Sequence, residues 1–240
     1  MAGILICFIL LAAVLGQLNK YKSYSQKSGN PLFRTFLDKG IYGEYKTYSI
    51  LEKIPGHKRI LTNLYIPKSD GTMTEIDLVM ITEKGFYVFE SKNYGGWIFG
   101  DEKQKQWTQV FSPRKKYRFY NPIRQNSGHI RALRQLLKIE DNRLFKSFIV
   151  FSERCTLKKV TVHSNDITVL KRNRLALKMK ENLLASPALL SPAEIDGFYS
   201  ILNHYARTDR TIKETHIQDL TENNKVRGNN VVTMIQRRKR

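Results

Sequence analysis

Cysteine and histidine are scarce in this 240-residue chain. The two cysteines, Cys7 and Cys155, lie far apart, and the five histidines are scattered along the sequence. A disulfide framework needs several paired cysteines, and a structural zinc site needs closely spaced cysteine and histidine ligands. The sequence therefore predicts neither, and the lack of paired cysteines agrees with a reducing compartment.

Acidic residues are also scarce, because 21 Asp and Glu stand against 41 Lys and Arg, which gives a formal charge of +20. The sequence pI is about 10.0. This positive charge exceeds what solubility requires, so it predicts a polyanionic partner, either nucleic acid or an anionic membrane surface. Charge alone does not define a site, and a basic protein without such a partner is the alternative.

Charged residues are absent from the apolar stretch MAGILICFILLAAVLGQL, residues 1–18, whereas basic residues follow it from Lys20 onward. A cleaved signal peptide normally has its positive charge before the apolar run. The order seen here predicts a single-pass anchor in the cell membrane, near the short end of the ~17 to 25 residues that cross a bilayer. The positive-inside rule puts the C-terminal body in the cytoplasm. A signal peptide and a buried helix are the alternatives.

The rest of the chain divides into three parts by composition. Residues 19–39 are polar, with Ser, Gly and Pro and no apolar periodicity, which predicts a basic juxtamembrane linker. Residues 40–207 carry helical and strand periods and are predicted to form the folded domain. Residues 208–240 lose this periodicity and end in QRRKR, so we expect a basic, disordered tail.

The order of predicted elements in the folded part indicates an α/β domain. A helix from Ile41 to Ile54 ends at Pro55, and a second helix begins with Asn121 as its N-cap. The intervening strands RILTNLYIP, TEIDLVMIT and GFYVFES predict a β-meander. A strand KSFIVFS, one or two short strands and two helices, at residues 174–184 and 192–205, follow. This order predicts a central mixed β-sheet flanked by helices.

Three charged residues, Asp77, Glu90 and Lys92, lie inside the apolar strands of the meander. Charges are costly to bury without partners, so their position needs an explanation. If Glu83 and Lys84 form a two-residue loop, the register places Asp77 directly opposite Glu90. Their Cβ atoms would then be about 4.5 to 5.5 Å apart.

Two carboxylates at that distance repel unless a proton or a cation lies between them. Mg²⁺ prefers oxygen ligands, which predicts Asp77, Glu90 and the backbone carbonyl of Ser91 as ligands of Mg²⁺ or Mn²⁺. Lys92 on the same face would favour hydroxide at a metal-bound water and stabilise charge that develops on a phosphate. Acid, metal, water and lysine together predict a phosphodiesterase site. Solvent-exposed charges, with Lys92 as a cross-strand ion-pair partner, are the alternative.

Three further polar residues border the apolar faces of the predicted helices. Glu44 on the first helix is predicted to assist with the metal or water, although a solvated position at the helix start is an alternative. Gln125 and His129 share one face of the second long helix and are predicted to contact the site or the scissile phosphate. Helix-surface positions are their alternative.

Aromatic residues cluster after the hairpin, where Trp97 and Trp107 lie near Tyr94, Phe99 and Phe111. Aromatic rings bury a large apolar area, and they also stack on bases of single-stranded nucleic acid. We predict packing roles for both tryptophans in preference to base-stacking roles.

Five separated motifs occur in a fixed order, and together they resemble the nuclease-related domain (NERD) family over residues 40–152. They are GIYGE (Gly40–Glu44), TEID (Thr74–Asp77), GFYVFESKNYGG (Gly85–Gly96), Trp107 and NPIRQ (Asn121–Gln125). The resemblance implies the PD-(D/E)xK nuclease superfamily and its restriction-endonuclease-like fold. It further implies that Asp77, Glu90 and Lys92 are the two acids and the lysine of that superfamily. Glu44 would be its helical glutamate, and Gln125 the glutamine of the family's Asn-Pro-x-x-Gln motif.

Three hypotheses about function follow. The first is a membrane-anchored, Mg²⁺-dependent nuclease that acts on nucleic acid, DNA in preference to RNA, through Asp77, Glu90, Lys92 and Glu44. The second is a non-catalytic module that tethers nucleic acid to the membrane and binds it with strong salt dependence. The third is a structural role in which the basic linker and tail bind anionic lipid.

Overall fold

The computed structural model describes residues 21–206. The predicted anchor, residues 1–18, and the predicted tail, residues 208–240, lie outside this range, so both stay predictions. Within residues 21–206, none of the helices is both long enough and apolar enough to cross a membrane.

The described chain has six helices and nine strands, apart from two short 3₁₀ turns. The helices are α1 (residues 21–28), α2 (Leu32–Leu37), α3 (Lys39–Leu51), α4 (Pro122–Leu137), α5 (Leu175–Ala185) and α6 (Pro192–Ala206). The strands are β1 (Lys58–Pro67), β2 (Met73–Thr82), β3 (Gly85–Lys92), β4 (Gly96–Asp101), β5 (Gln106–Ser112), β6 (Lys115–Tyr120), β7 (Phe145–Phe151), β8 (Cys155–Thr161) and β9 (Ile167–Lys171). The predicted β-meander corresponds to β1, β2 and β3.

The strands form two sheets. The larger sheet has the order β1-β2-β3-β7-β9, with antiparallel pairs from β1 to β3 and parallel pairs from β3 to β9. It is mixed and flanked by helices, as predicted. The smaller sheet has the order β6-β5-β4-β8. The prediction of a single central sheet missed this second one, because it depends on the pairing of β4 with β8, which lies far along the chain.

Helices cover both faces of the larger sheet, because alternate strand residues point to opposite sides. On one side Leu78, Met80 and Phe89 pack with Tyr48 and Leu51 of α3. The other side has its own cluster, which joins strand residues to α4 and α6; its members include Val79, Val88, Leu133, Ile195 and Leu202. Because the sheet is covered on both faces, any polar side chain inside its strands must find a partner within the protein.

A third apolar cluster joins the smaller sheet to β7 and the start of α4. Trp107 is 1% exposed and stacks on Phe151, with ring centroids 6.1 Å apart. Its packing role is therefore confirmed. Trp97 is 51% exposed, so the same prediction is wrong for that residue. The reason is strand alternation, since the neighbouring Ile98 is fully buried and Trp97 points to the opposite face.

The turn between β2 and β3 has the predicted length. Thr82 pairs with Gly85 across a two-residue loop. Gly85 has a φ of 104°, and a Cβ added there would lie 2.3 Å from the carbonyl oxygen of Leu144. Both the left-handed backbone and this close approach require glycine at the position. The turn therefore fixes the register of the hairpin that carries the predicted site.

The segment predicted as a juxtamembrane linker is helical in its described part. Tyr21 and Tyr24 of α1 are buried, and their rings lie 5.9 and 5.4 Å from the ring of Tyr45 on α3. The Tyr21 hydroxyl donates a hydrogen bond to the Asn30 carbonyl oxygen at 2.5 Å. The prediction described this segment as polar and without apolar periodicity, and it therefore passed over Tyr21 and Tyr24. Tyrosines bury apolar rings once their hydroxyl groups have partners.

Candidate active site

The charged residues of the hairpin lie where β2 and β3 stop pairing. Their ladder runs from Thr82–Gly85 to Leu78–Phe89, after which β3 continues beside β7. Asp77 and Glu90 are next in the same register, as the turn length predicts. The Asp77 side chain reaches across to β3, where its Oδ2 accepts a hydrogen bond from the Ser91 backbone N–H at 2.9 Å.

On the other side of Asp77, strand β1 is distorted at Asn63. The pairs on either side are Thr62–Leu78 and Leu64–Ile76, so Asn63 lies opposite Asp77. Asn63 has a φ of 51°, and asparagine tolerates this left-handed conformation better than most residues. Its Nδ2 donates to the Ser28 carbonyl oxygen. Regular strand pairing is therefore interrupted on both sides of Asp77. Such an interruption is more typical of a functional site than of a continuous sheet.

Glu90 is almost completely buried and has a partner on each carboxylate oxygen. Lys92 Nζ donates to Oε1 at 2.5 Å, and His129 Nε2 donates to Oε2 at 3.1 Å. Burial by itself raises the pKa of Glu90, but the charge of Lys92 and the bond from His129 outweigh burial and lower it. Glu90 is therefore ionised at neutral pH although only 1% of the residue is exposed.

Lys92 lies between Glu90 and the start of α4. Its Nζ also donates to Gln125 Oε1 at 3.1 Å, so Gln125 orients the ammonium group. Burial lowers the pKa of Lys92, but the carboxylates of Glu90 and Asp77 outweigh this and raise the pKa above its ordinary value. Lys92 therefore stays protonated at neutral pH.

The pKa values of Asp77 and Glu44 are shifted upward, in the direction opposite to that of Glu90. Burial, followed by repulsion from Glu90 and Glu44, raises the pKa of Asp77 well above its ordinary value. Burial, followed by repulsion from Glu75, Glu90 and Asp38, raises the pKa of Glu44 to about 8. The charge of Lys92 lowers both pKa values without reversing either shift. The site thus holds more carboxyl groups than Lys92 alone can keep ionised, and burial and mutual repulsion favour the protonated forms of Asp77 and Glu44.

Helix α3 brings Glu44 to this position. The helix begins at Asp38, whose Oδ1 accepts hydrogen bonds from the backbone N–H groups of Gly40 and Ile41 at 2.7 and 3.1 Å. A Cβ added at Gly43 would lie 2.9 Å from Asn93 Cβ, so glycine allows α3 to approach the end of β3 closely. One turn further on, Thr47 Oγ1 lies 3.3 Å from Ser91 Oγ.

Helix α4 brings Gln125 and His129. The Asn121 side chain caps it as predicted, by accepting from the Ile123 N–H at 2.9 Å, and Pro122 occupies the first turn. Gln125 and His129 then contact Lys92 and Glu90. They lie in the site as predicted, but their contacts are with its side chains, and the proposed contact with a phosphate stays a prediction.

Three residues of this site were missed by the sequence analysis. Thr74 Oγ1 lies 3.0 Å from His129 Nδ1 and supplies the second partner of the ring. The Tyr65 hydroxyl donates to Glu75 Oε1 at 2.5 Å. Glu75 is two residues from Asp77, and that spacing could have pointed to it. Thr74 and Tyr65 gave no comparable signal, because their contacts depend on how the strands and α4 pack.

The donor atoms of the site decide whether a divalent metal ion could bind there. Across residues 21–206, no group of three or more His, Cys, Asp and Glu side chains is arranged to hold a metal ion. The two carboxylates of Asp77 and Glu90 together with the Ser91 carbonyl are nevertheless the hard oxygen donors that Mg²⁺ prefers. A cation would also offset the repulsion that raises the pKa values of Asp77 and Glu44. The chemistry of these residues therefore fits the ion.

The region that contains the site is similar to known proteins. A family model described as a nuclease-related domain matches residues 39–152, which include every predicted site residue. An uncharacterized protein of Bacillus anthracis is 36% identical to this chain over 184 residues, which cover 76% of this chain and 84% of that protein. No solved structure matches the chain significantly.

Proposed function

Because the chain belongs to the nuclease-related domain family, we propose that it is a metal-dependent nuclease that hydrolyses phosphodiester bonds, in DNA in preference to RNA. The observation that carries the proposal is the contact of Lys92 with Glu90 beside the half-buried Asp77. Acid, acid and lysine converge where two strands of a mixed sheet separate, which is in keeping with a PD-(D/E)xK nuclease. The formal charge of +20 supports a polyanionic substrate.

Each side chain has a proposed role. Asp77, Glu90 and the Ser91 carbonyl would hold Mg²⁺ or Mn²⁺, which when bound supplies Lewis acidity and an activated water. Lys92, protonated and oriented by Gln125, stabilises negative charge that develops on the phosphate. Glu44 assists as a further carboxylate.

The proposal includes attachment to the cell membrane. Residues 1–18 are apolar and uncharged, and Lys20, Lys22 and Lys27 follow them, which supports an anchor with the folded body in the cytoplasm.

The test is cleavage by the full-length protein in mild detergent. Plasmid DNA and labelled RNA are incubated with Mg²⁺, with Mn²⁺ or with EDTA. We expect cleavage with either metal and none with EDTA. Asp77→Asn and Lys92→Gln should each lower the rate at least ~100-fold, the scale on which loss of a charge-stabilising group acts. Glu83→Gln and Lys180→Gln, which change exposed residues elsewhere, should cleave at the wild-type rate.

Two results would overturn the catalytic proposal: no cleavage by the wild type, or cleavage at the wild-type rate by both Asp77→Asn and Lys92→Gln.

A non-catalytic module that tethers nucleic acid is the second candidate, and the charge of +20 favours it equally. Salt-dependent binding without cleavage by the wild-type protein would select that candidate.

A further inference from the structure

The smaller sheet has one face turned away from the core, which we call the outer face. Ile98 on β4 is fully buried with Trp107, so its neighbours Trp97 and Phe99 point the other way. Trp97 is 51% exposed. Trp97 is the second residue of β4, and about half of its large apolar surface faces solvent, which is typical of a binding surface.

Strand register defines which residues share this face, because directly paired residues point to the same side of a sheet. Two rows cross the four strands. The first contains Thr156, Trp97, Val110 and Lys116, and the second contains Lys159, Phe99, Thr108 and Arg118. Each row thus has an aromatic ring on the inner strand β4 and a basic residue on the edge strand β6.

The opposite edge of the outer face is also basic. The register of β4 and β8 shifts between Ile98 and Phe99, and Lys158 is the additional residue at this bulge. Its Nζ lies 5.6 Å from the centre of the Trp97 ring, so it belongs to the same face. Lys158, Lys159, Lys116 and Arg118 are all exposed. Rings at the centre are therefore bordered by positive charge on both sides.

Acidic residues do not balance this charge on the same strands. The sequences of β5, β6 and β8 contain no Asp or Glu. On β4 the acid is Asp101, at the end of the strand, where Oδ1 accepts a hydrogen bond from the Lys103 N–H at 2.8 Å. The outer face therefore has a positive field and suits a polyanion.

We propose that the outer face binds single-stranded nucleic acid. Bases stack on Trp97 and Phe99, and phosphates contact the Lys and Arg side chains on the two edges. Every base has an aromatic face, so such stacking needs no particular sequence. In a duplex these base faces are already covered by neighbouring base pairs, and only the charges could contribute. The exposed ring of Trp97, beside the half-buried Phe99, therefore selects a single strand.

This inference extends the proposed function, since Trp97 follows Lys92 by five residues. Their Cα atoms are then at most about 18 Å apart. A strand held on the outer face would thus lie near the candidate active site. The binding itself requires neither metal nor cleavage, so the two proposals can be tested separately.

The test measures fluorescence anisotropy of labelled oligonucleotides with the full-length protein in EDTA, which prevents metal-dependent cleavage. The probes are short poly-dT, poly-U of equal length and a DNA duplex of equal length. Trp97→Ala should weaken binding of the single strands by about tenfold, and Trp97→Phe should keep most of the affinity. Phe33→Ala removes a ring that is 76% exposed outside the smaller sheet and should bind like the wild type.

The charges are tested with the double variant Lys116→Ala, Arg118→Ala. It should bind single strands more weakly and lower the slope of log K against log salt by about 1.4, or about 0.7 for each phosphate that the variant no longer neutralises. The matched control is Arg174→Ala, Lys180→Ala, which removes one exposed Arg and one exposed Lys at helix α5. The relative loss of affinity for poly-dT and for poly-U shows whether DNA or RNA is preferred.

The proposal is overturned if Trp97→Ala binds single strands as tightly as the wild type, or if it weakens duplex binding to the same extent. It is also overturned if Trp97→Ala instead abolishes flotation with anionic vesicles or self-association in sedimentation. If the wild type cleaves but Trp97→Ala binds single strands normally, only the binding proposal is contradicted. If Trp97→Ala weakens binding but the wild type does not cleave, only the proposed catalysis is contradicted.

Discussion

Two carboxyl groups in one hairpin have pKa values that move in opposite directions, and their hydrogen bonds explain why. Glu90 has Lys92 on one oxygen and His129 on the other, whereas Asp77 has a backbone N–H on one oxygen. The positive partner keeps Glu90 ionised, and the ionised Glu90 then raises the pKa of Asp77. The distribution of charge in the site thus depends on groups placed by α4 as much as on the strands.

His129 is predicted to position Glu90. The residue is 5% exposed and its ring has partners at both nitrogens, so it has little open surface for substrate. His129→Ala should lower kcat and weaken the apparent metal affinity by about 10- to 100-fold, as loss of a residue that orients a metal ligand does. KM for DNA should change little. Metal titrations of the cleavage rate measure the first effect.

His129→Gln separates positioning from packing. Its side-chain amide can replace the Nε2–H donor, so it should recover much of the metal affinity that His129→Ala loses. A large rise in KM with unchanged metal affinity in both variants would show instead that His129 contacts the substrate.

Glu44 makes a pH-dependent contribution to stability. Its pKa rises from an ordinary 4.5 to about 8, because burial and neighbouring acids disfavour its charge. The folded state therefore binds the proton more tightly than the unfolded state. The stabilisation is complete below the ordinary pKa and is lost as pH rises through the folded pKa.

Without added metal, the free energy of unfolding should fall between about pH 4.5 and about pH 8, and Glu44→Gln should make this fall shallower. It should not abolish it, because the pKa of Asp77 is also raised. Denaturant unfolding at a series of pH values in EDTA measures the slopes. Glu83→Gln, at an exposed turn, should keep the wild-type slope. Equal slopes for wild type and Glu44→Gln would contradict the role of Glu44.

At the scale of the elements, the candidate site depends on how closely α3 approaches the end of β3. Gly43 lies against Asn93, and the next residue in the helix is Glu44. Thr47 and Ser91 are in contact one turn later. The helix therefore fits against the segment that carries Glu90 and Lys92, and it has little room to move closer.

Gly43→Ala tests this fit. The added methyl group would lie 2.9 Å from Asn93 Cβ, so α3 or the β3–β4 connection must shift. We expect destabilisation of about 1–3 kcal/mol from overpacking and a clear loss of cleavage. Gly197→Ala in α6 is the control, since its added Cβ meets nothing within 4 Å. It should be neutral or stabilising by up to about 1 kcal/mol. Thermal unfolding and cleavage assays would contradict the prediction if both variants behaved alike.

Local sequence determined the elements that could be predicted. The EKG turn fixed the pairing of Thr82 with Gly85, and Asn121-Pro122 marked the start of α4. The smaller sheet could not be predicted in this way, because Gly96 pairs with Cys155 far along the chain. The same holds for the bonds from His129 to Glu90 and Thr74, which depend on packing between elements.

At the scale of the whole molecule, the buried tyrosines of α1 make residues 21–28 part of the folded body. Tyr21 and Tyr24 belong to the apolar cluster that also contains α3 residues next to the site. If residues 1–18 span the membrane as proposed, the body begins within a few residues of the membrane surface. The lysines that follow the apolar stretch would then lie at that surface, where anionic lipid favours them.

Two deletions test this arrangement. Removal of residues 2–18 should transfer the protein from the membrane to the soluble fraction and leave thermal unfolding and cleavage unchanged. Removal of residues 2–39 should also lower the unfolding temperature, because it deletes Tyr21, Tyr24 and the Asp38 cap. Tyr24→Ala in the full-length protein should cost about 3–5 kcal/mol, as for other large buried aromatic residues. Phe33→Ala, at an exposed ring, should cost little. Fractionation and thermal unfolding would contradict the arrangement if the shorter deletion stayed in the membrane or both deletions were equally stable.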